Sequence, residues 1–154
     1  FDLYKKIDEW LDDNKLNFEF TYVGRYSKEY VPRNTKIIQP LHGKELGEEL
    51  KKHDIYVTAS RYEPCGMHHI EGAASGLPVI YHKETGGIVE LCAKHGEEYE
   101  TFDQFLSKLE LVKENIDEYR KKIDYDFLDI NRCCESFYNE LLDMHNEENT
   151  LFKR

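Results

Sequence analysis

The apolar positions of this chain change period along its length. In "FDLYKKIDEWLDDN", Leu3, Ile7, Trp10 and Leu11 recur at helical spacing and predict an amphipathic helix. "NFEFTYVG" alternates and stops at Gly24, which predicts a strand. "TKIIQPL" is a short apolar run before a turn, "GKELGEELKKH" a helix carrying Leu46 and Leu50, and "DIYVTAS" a buried strand. Then "GMHHIEGAAS" reads as a helix, "LPVIYH" as a strand, and "TGGIVELCAKH" as a helix opened by a glycine pair. Strands alternating with helices predict an α/β fold, a Rossmann-like parallel sheet with helices on both faces. The second half, "TFDQFLSKLELVKENIDEYRKKI" and "DFLDINRCCESFYNELLDMHNEE", reads as a helical C-terminal segment, with Thr101 and Gln104 spaced as a capping box. One domain over residues 1–145 is expected, with a frayed tail over 146–154.

Composition narrows the function. The 154 residues, 40% of them hydrophobic, suffice for one sizeable core. No run approaches the length of a transmembrane helix, and the opening residues form an amphipathic helix rather than a signal peptide. The net charge of −10 argues against nucleic acid and against simple adhesion to anionic lipid. Four cysteines occur, Cys65, Cys92, Cys133 and Cys134, and the last two are neighbours. That pattern suits neither a disulfide framework nor a metal knuckle, so they are expected to be reduced and buried, in a cytoplasmic protein.

The chemistry concentrates in "EPCGMHHIEGAASGLPVI", residues 63–80. Pro64 pushes Glu63 out of helical backbone space, which places Glu63 in a loop and the helix start near Cys65 or Gly66. Unpaired amides there, beside a glycine without a side chain, form an anion site. Met67, Ile70 and Ala74 share one expected sheet-facing side; His68, Glu71 and Ser75 share another. "GAASG" keeps the helix thin against its strand. Two acids flanking free amides match a nucleoside diphosphate sugar, whose ribose and hexose carry hydroxyls on either side of a diphosphate.

"EPCGMHHIE" followed by "GAASGLPVI" resembles the E-x7-E motif of retaining GT-B glycosyltransferases, those of family 4 and the glycogen and starch synthases. "FEFTYVG", "TKIIQPLHGKELGEELKKHDIYVTAS" and "ETGGIVE" resemble, in order, other segments of the same donor-binding domain, the C-terminal half of the GT-B fold. The likeness runs over residues 1–145. It implies that Glu63 contacts the transferred sugar and that the backbone of Cys65, Gly66 and Met67 contacts sugar and distal phosphate. It further implies that Glu71 binds the ribose, that the backbone from Ile38 through Pro40 to Leu41 edges the base, and that Gly86 and Gly87 line the phosphate side. A hexose would pass from its nucleotide to a glycan, lipid or protein acceptor with retention, the leaving diphosphate helping to deprotonate the acceptor. No metal and no cofactor beyond the donor is implied.

One departure stands out. The family's donor domain opens with a strand ending in Gly-Arg, soon followed by a lysine, and "FDLYKK" resembles the segment after that lysine. Gly24-Arg25 does not replace it. The chain is therefore expected to lack a mid-sheet strand, two phosphate-binding cations and the acceptor domain, and to be inactive alone. Other readings stay open. The glutamates could be plain helix-terminal acids, Gly86-Gly87 only a turn, and Arg61 a surface or a phosphate-side cation. His68 and His69, about 100° apart on a helix, cannot chelate one ion together; either could line the sugar pocket. The whole could be a nucleotide-sugar-binding or assembly module without turnover. A dinucleotide-binding domain is disfavoured, because no G-x-G-x-x-G follows a strand.

Overall fold

The N-terminal stripe forms α1 (Asp2–Asn14). The structure, a computed structural model, describes residues 2–14, 18–27, 29–64 and 66–151. Ile7 and Leu11 of α1 are buried, and so is Asp8. The Asp8 carboxylate accepts the backbone N–H groups of Arg33 and Asn34 at 2.9 Å each, and the Thr35 N–H at 2.7 Å and its hydroxyl at 2.5 Å. Burial opposes its ionisation, but the four donors outweigh it and hold the carboxyl below its usual range. This clamp ties α1 to the chain that enters the second strand.

That strand, β2 (Thr35–Ile38), pairs in parallel with β1 (Phe20–Val23), from Phe20 opposite Thr35 to Val23 opposite Ile38. After α2 (Gly43–Leu50) come β3 (Tyr56–Val57), α3 (His68–Ala74), β4 (Val79–His82), α4 (Gly87–Cys92) and β5 (Gly96–Tyr99). The order β3-β4-β5 is parallel throughout. The expected parallel strands thus lie in two sheets rather than one. Because side chains alternate along a strand, Val57, Ile80 and Tyr99 face one side. There they pack near α1 and α5 (Phe102–Glu114) with Ile7, Leu11, Phe105 and Leu109. Tyr56 and Val79 face the opposite side, where the Tyr56 ring lies against Gly72 of α3. β4, paired on both edges, is buried along its whole length, whereas β1 and β3 are only half-buried.

Four details differ from the sequence reading. α3 begins at His68 rather than near Cys65 or Gly66, so the amides before it belong to a loop. Its buried side is His69, Gly72 and Ala73; Met67 is exposed and caps the helix. The reason is Tyr56: a Cβ on Gly72 would stand 2.7 Å from its ring, so the ring selects the glycine side of the helix. β5 was not anticipated, since "GEEY" has no apolar run; Glu97 is drawn in by Lys108 at 2.6 Å and by the Tyr119 hydroxyl at 2.5 Å. Cys92 is buried as expected, but Cys133 and Cys134 are exposed.

The capping box forms at α5: Thr101 accepts the Gln104 N–H, and the Gln104 side chain accepts the Thr101 N–H. α5 gives way at Asn115 to α6 (Ile116–Lys121). Contacts divide the chain into residues 1–123 and 124–154. The second unit holds α7 (Ile130–Leu151), whose Arg132 pairs with Asp126 ahead of the helix at 2.9 Å. Residues 146–151 are helical within it, and Ile130, Phe137, Tyr138 and Leu141 are exposed.

Candidate active site

Two loops leave the C-terminal ends of β3 and β4, the place where parallel α/β sheets bind ligands. They are laced together through their backbones. The Tyr62 N–H donates to the Glu84 carbonyl at 2.6 Å, and Glu63 forms a parallel bridge with Gly86. A Cβ on Gly87 would lie 2.6 Å from the Pro64 carbonyl oxygen, and one on Gly86, at φ 73°, would lie 3.0 Å from that of Glu63. The glycine pair is therefore a condition of the close approach. Tyr62 sits at φ 55° with its ring exposed. For a residue with a Cβ that conformation costs on the order of 1–3 kcal/mol and marks a loop held by its surroundings.

Gly66 is buried at the same corner. A Cβ there would meet the Glu63 Cγ at 2.7 Å and the His68 Nε2 at 3.1 Å, so these two side chains close over it. The imidazole of His68 places Nδ1 3.1 Å from the Tyr56 hydroxyl and Nε2 3.4 Å from the Ser60 Oγ. Burial lowers the His68 pKa, partly offset by Glu63 and Glu71. His68 is thus a neutral group poised between both acids. Burial also raises the Tyr56 hydroxyl, which stays protonated and able to donate to Nδ1. Beneath them His69 is fully buried, with neither ring nitrogen hydrogen-bonded among the described residues. Burial, reinforced by His68, pulls its pKa down to about 4.

The second acid occupies a different corner. Glu71 is exposed, and with His68 and Pro40 it lines a cavity of about 860 Å³. The Ile38 carbonyl accepts the Gly24 N–H at 3.0 Å. The structure therefore brings Glu63, Gly66, Gly86 and Gly87 into one corner and Glu71 and Pro40 into another. Met67 is exposed at the start of α3, Ile38 ends its strand, and Cys65 lies outside the described residues. Sequence reasoning left His68 open and overlooked Tyr56. The visible signal for the first was the three-residue spacing of His68 and Glu71 on a helix. Arg61 is exposed, near enough to His82 to oppose its protonation, though burial is the larger cause there. Among the described residues no group of three or more His, Cys, Asp or Glu could hold a metal, and no helix is long and apolar enough to cross a membrane.

A Rossmann-like α/β fold with a glycine-laced, acidic cleft at its strand ends defines a class of ligand-binding α/β proteins. The family described as glycosyl transferases group 1 matches residues 25–126, more than half of the chain and the whole of the laced site. The chain belongs to the group 1 glycosyl transferases, whose reaction needs a sugar donor and an acceptor. No curated protein matches the chain.

Proposed function

We propose that this chain is the donor-binding half of a retaining GT-B hexosyltransferase of family 4 and that it holds a nucleoside diphosphate hexose across its two corners. The observation that carries the reading is the lacing of Glu63-Pro64 onto Gly86-Gly87. It gives one carboxylate a fixed position beside backbone that no side chain shields. On this reading Glu63 grips hydroxyls of the hexose, the backbone of Cys65, Gly66, Met67, Gly86 and Gly87 faces the diphosphate, and Glu71 accepts from the ribose diol. The backbone at Ile38 and Pro40 edges the base. His68, neutral and hydrogen-bonded to Tyr56, presents an N–H donor between the acids.

No protein nucleophile is called for. The protein's part is to hold the anomeric carbon and to stabilise charge on the departing diphosphate. No resident metal enters the reading, so a chelator should leave binding unchanged. The acceptor would be held by residues outside this chain, so the chain by itself should not transfer sugar. A cytoplasmic location suits the exposed neighbouring thiols Cys133 and Cys134, which a reducing compartment preserves. The test is calorimetry of the chain with uridine, guanosine and adenosine diphosphate hexoses, with and without EDTA. Binding of one of them, lost when Glu63 and Glu71 are both changed to Ala, supports the reading; binding of none overturns it.

A further inference from the structure

His68 opens α3, and its ring is held from both sides. Nδ1 lies 3.1 Å from the Tyr56 hydroxyl and Nε2 3.4 Å from the Ser60 Oγ, while the Tyr56 ring stacks on the imidazole with centroids 6.0 Å apart. Both partners are hydroxyls, which donate or accept as the ring requires. His82 shows the contrast: its Nδ1 accepts the Glu84 backbone N–H at 3.1 Å, which leaves no room for a second ring proton. The two hydroxyls at His68 serve imidazole and imidazolium alike. Its Nε2 edge also borders the corner of Glu63. A Cβ on Gly66 would lie 3.1 Å from Nε2 and 2.7 Å from the Glu63 Cγ, so nitrogen and acid frame one small space over the Gly66 backbone.

The charges around this ring are finely set. Glu63 lies on the loop after β3 and Glu71 one turn along α3, and both carboxylates favour protonation of His68. Burial opposes it and is the larger influence, so the ring is neutral in the folded chain. Its other titratable neighbours are uncharged. Tyr56, with the Tyr4 and Tyr22 hydroxyls and the Cys92 thiol near it, is kept protonated by burial. His69, edge-on to His68 at 5.4 Å, is neutral, its pKa pulled down to about 4 chiefly by burial. A further negative charge tips the balance, since an anion within about 4–6 Å favours the charged form.

We propose that His68 takes up a proton when the sugar donor binds, and that the imidazolium so formed is a ligand of the donor's diphosphate. The inference rests on the donor placement proposed above, in which the Gly66 backbone faces the diphosphate. Phosphate there brings charge to the Nε2 edge. The Nε2–H donates to a phosphate oxygen, the added proton sits on Nδ1, and the Tyr56 oxygen turns from donor to acceptor. The proton comes from solvent, and no bond of the donor breaks. It returns to solvent when the diphosphate leaves. His68 thus supplies a whole charge only while phosphate is present, so the empty site never holds a half-buried cation without its anion. Tyr56 acts through His68 and is a positioning residue.

The experiment is titration calorimetry of the chain with uridine, guanosine and adenosine diphosphate hexoses, the glucose and mannose forms of each. Nucleotide sugars are used because their phosphates are esterified, whereas a terminal phosphate itself titrates at about pH 6. Measurement at pH 7 in two buffers of different ionisation heat gives the protons exchanged with solvent. The native chain should take up more than about half a proton per donor bound, and its affinity should rise roughly five- to tenfold from pH 8 to 6.5. His68→Gln keeps an N–H but has no ring to protonate. At pH 6.5 it should bind about tenfold more weakly. Its uptake should fall below about a tenth of a proton, and its affinity should stay within about twofold across the same pH range. Tyr56→Phe removes the acceptor of the second proton, so uptake should fall to less than about half the native value. A merely structural His68 would weaken binding on substitution and change neither the proton count nor the pH slope. Binding without proton uptake by the native chain overturns the inference and leaves the donor reading standing, and this outcome needs no variant to fold. Uptake that persists in His68→Gln does the same. Binding of none of the sugars overturns both.

Discussion

The two corners of the candidate site are built on opposite plans. The Glu63 corner is crowded down to the backbone: hydrogens of Gly86 and Gly87 occupy space where a Cβ would strike the carbonyls of Glu63 and Pro64. Tyr62 is held left-handed to enter it. The Glu71 corner is open, with an exposed carboxylate on a short helix above a cavity. The contrast fits a division of labour. A group that touches the reacting carbon must be placed to a fraction of an ångström, because misplacement by about 1 Å can cost a hundredfold in rate. A group that grips a distant ribose tolerates more freedom. His68 hydrogen-bonds outward from α3 between the two plans and couples them.

The largest effect is expected at the crowded corner. Gly87→Ala puts a methyl against the Pro64 carbonyl, a backbone atom that cannot swing aside. Overpacking of this kind costs about 1–3 kcal/mol, a drop of roughly 4–15 °C in melting temperature for a unit of this size. Nucleotide-sugar affinity should fall more than a hundredfold as the loop carrying Glu63 is displaced. Gly47 supplies the control. It lies inside α2 with nothing near its missing Cβ, so Gly47→Ala should stabilise by roughly 0.5–1 kcal/mol. Equal melting temperatures for the two variants would show that the lacing is not tight.

Glu71→Ala comes next. Loss of a charge-assisted hydrogen bond is worth ~1.5–3 kcal/mol, so affinity should drop about tenfold to a hundredfold. The drop should be the same for a nucleoside diphosphate and for its sugar, since both carry the ribose. Calorimetry with the two ligands measures this directly. A loss confined to the sugar would move Glu71 away from the ribose. Glu63→Gln should do the reverse, weakening the nucleotide sugar about tenfold and leaving the free diphosphate within about twofold. If both ligands weaken alike, the two corners share one role and the comparison fails.

The parts of this architecture that lie in local pattern were legible in the sequence. Helical stripes gave α1 and α5, alternation gave β1, and Thr101 with Gln104 gave a cap that forms as expected. Glu63, the glycine pair and Glu71 were singled out because a proline, paired glycines and an acid spacing leave marks in one dimension. What escaped depends on partners distant in sequence. β5 is polar in composition and becomes a strand because β4 offers an edge and Lys108 neutralises Glu97. The buried side of α3 was misread because Tyr56, twelve residues before His68, chooses the glycine side. The split of the strands into two sheets has no local signature, since β1 and β3, the strands at which the sheets part, are ordinary apolar segments.

The smallest expected effect concerns the imidazole beneath the crowded corner. His69 is fully buried and neutral, with a pKa near 4, while an unfolded histidine titrates near 6.5. The folded pKa is the lower one, so the unfolded state binds the proton first as pH falls. Stability contributed by neutral His69 is therefore intact above about pH 6.5, and it declines steadily below that until the folded state also protonates near pH 4. Between pH 7 and 5.5 the loss is roughly 1 kcal/mol for each such group, a few degrees in melting temperature. Burial also lowers His68, His82 and His95, so the native protein should lose stability over this range through several groups at once. The carboxylates held low, Asp8 and Glu97 among them, act only at lower pH. His69→Leu removes one contributor without leaving a hydrogen bond unmade, because the ring makes none among the described residues. Its melting temperature should fall less between pH 7 and 5.5 than that of the native chain, by about the share of one histidine. An unchanged pH slope would mean that His69 already carries its proton in the folded state, and that the Glu63 corner rests on an ion pair rather than on an apolar floor.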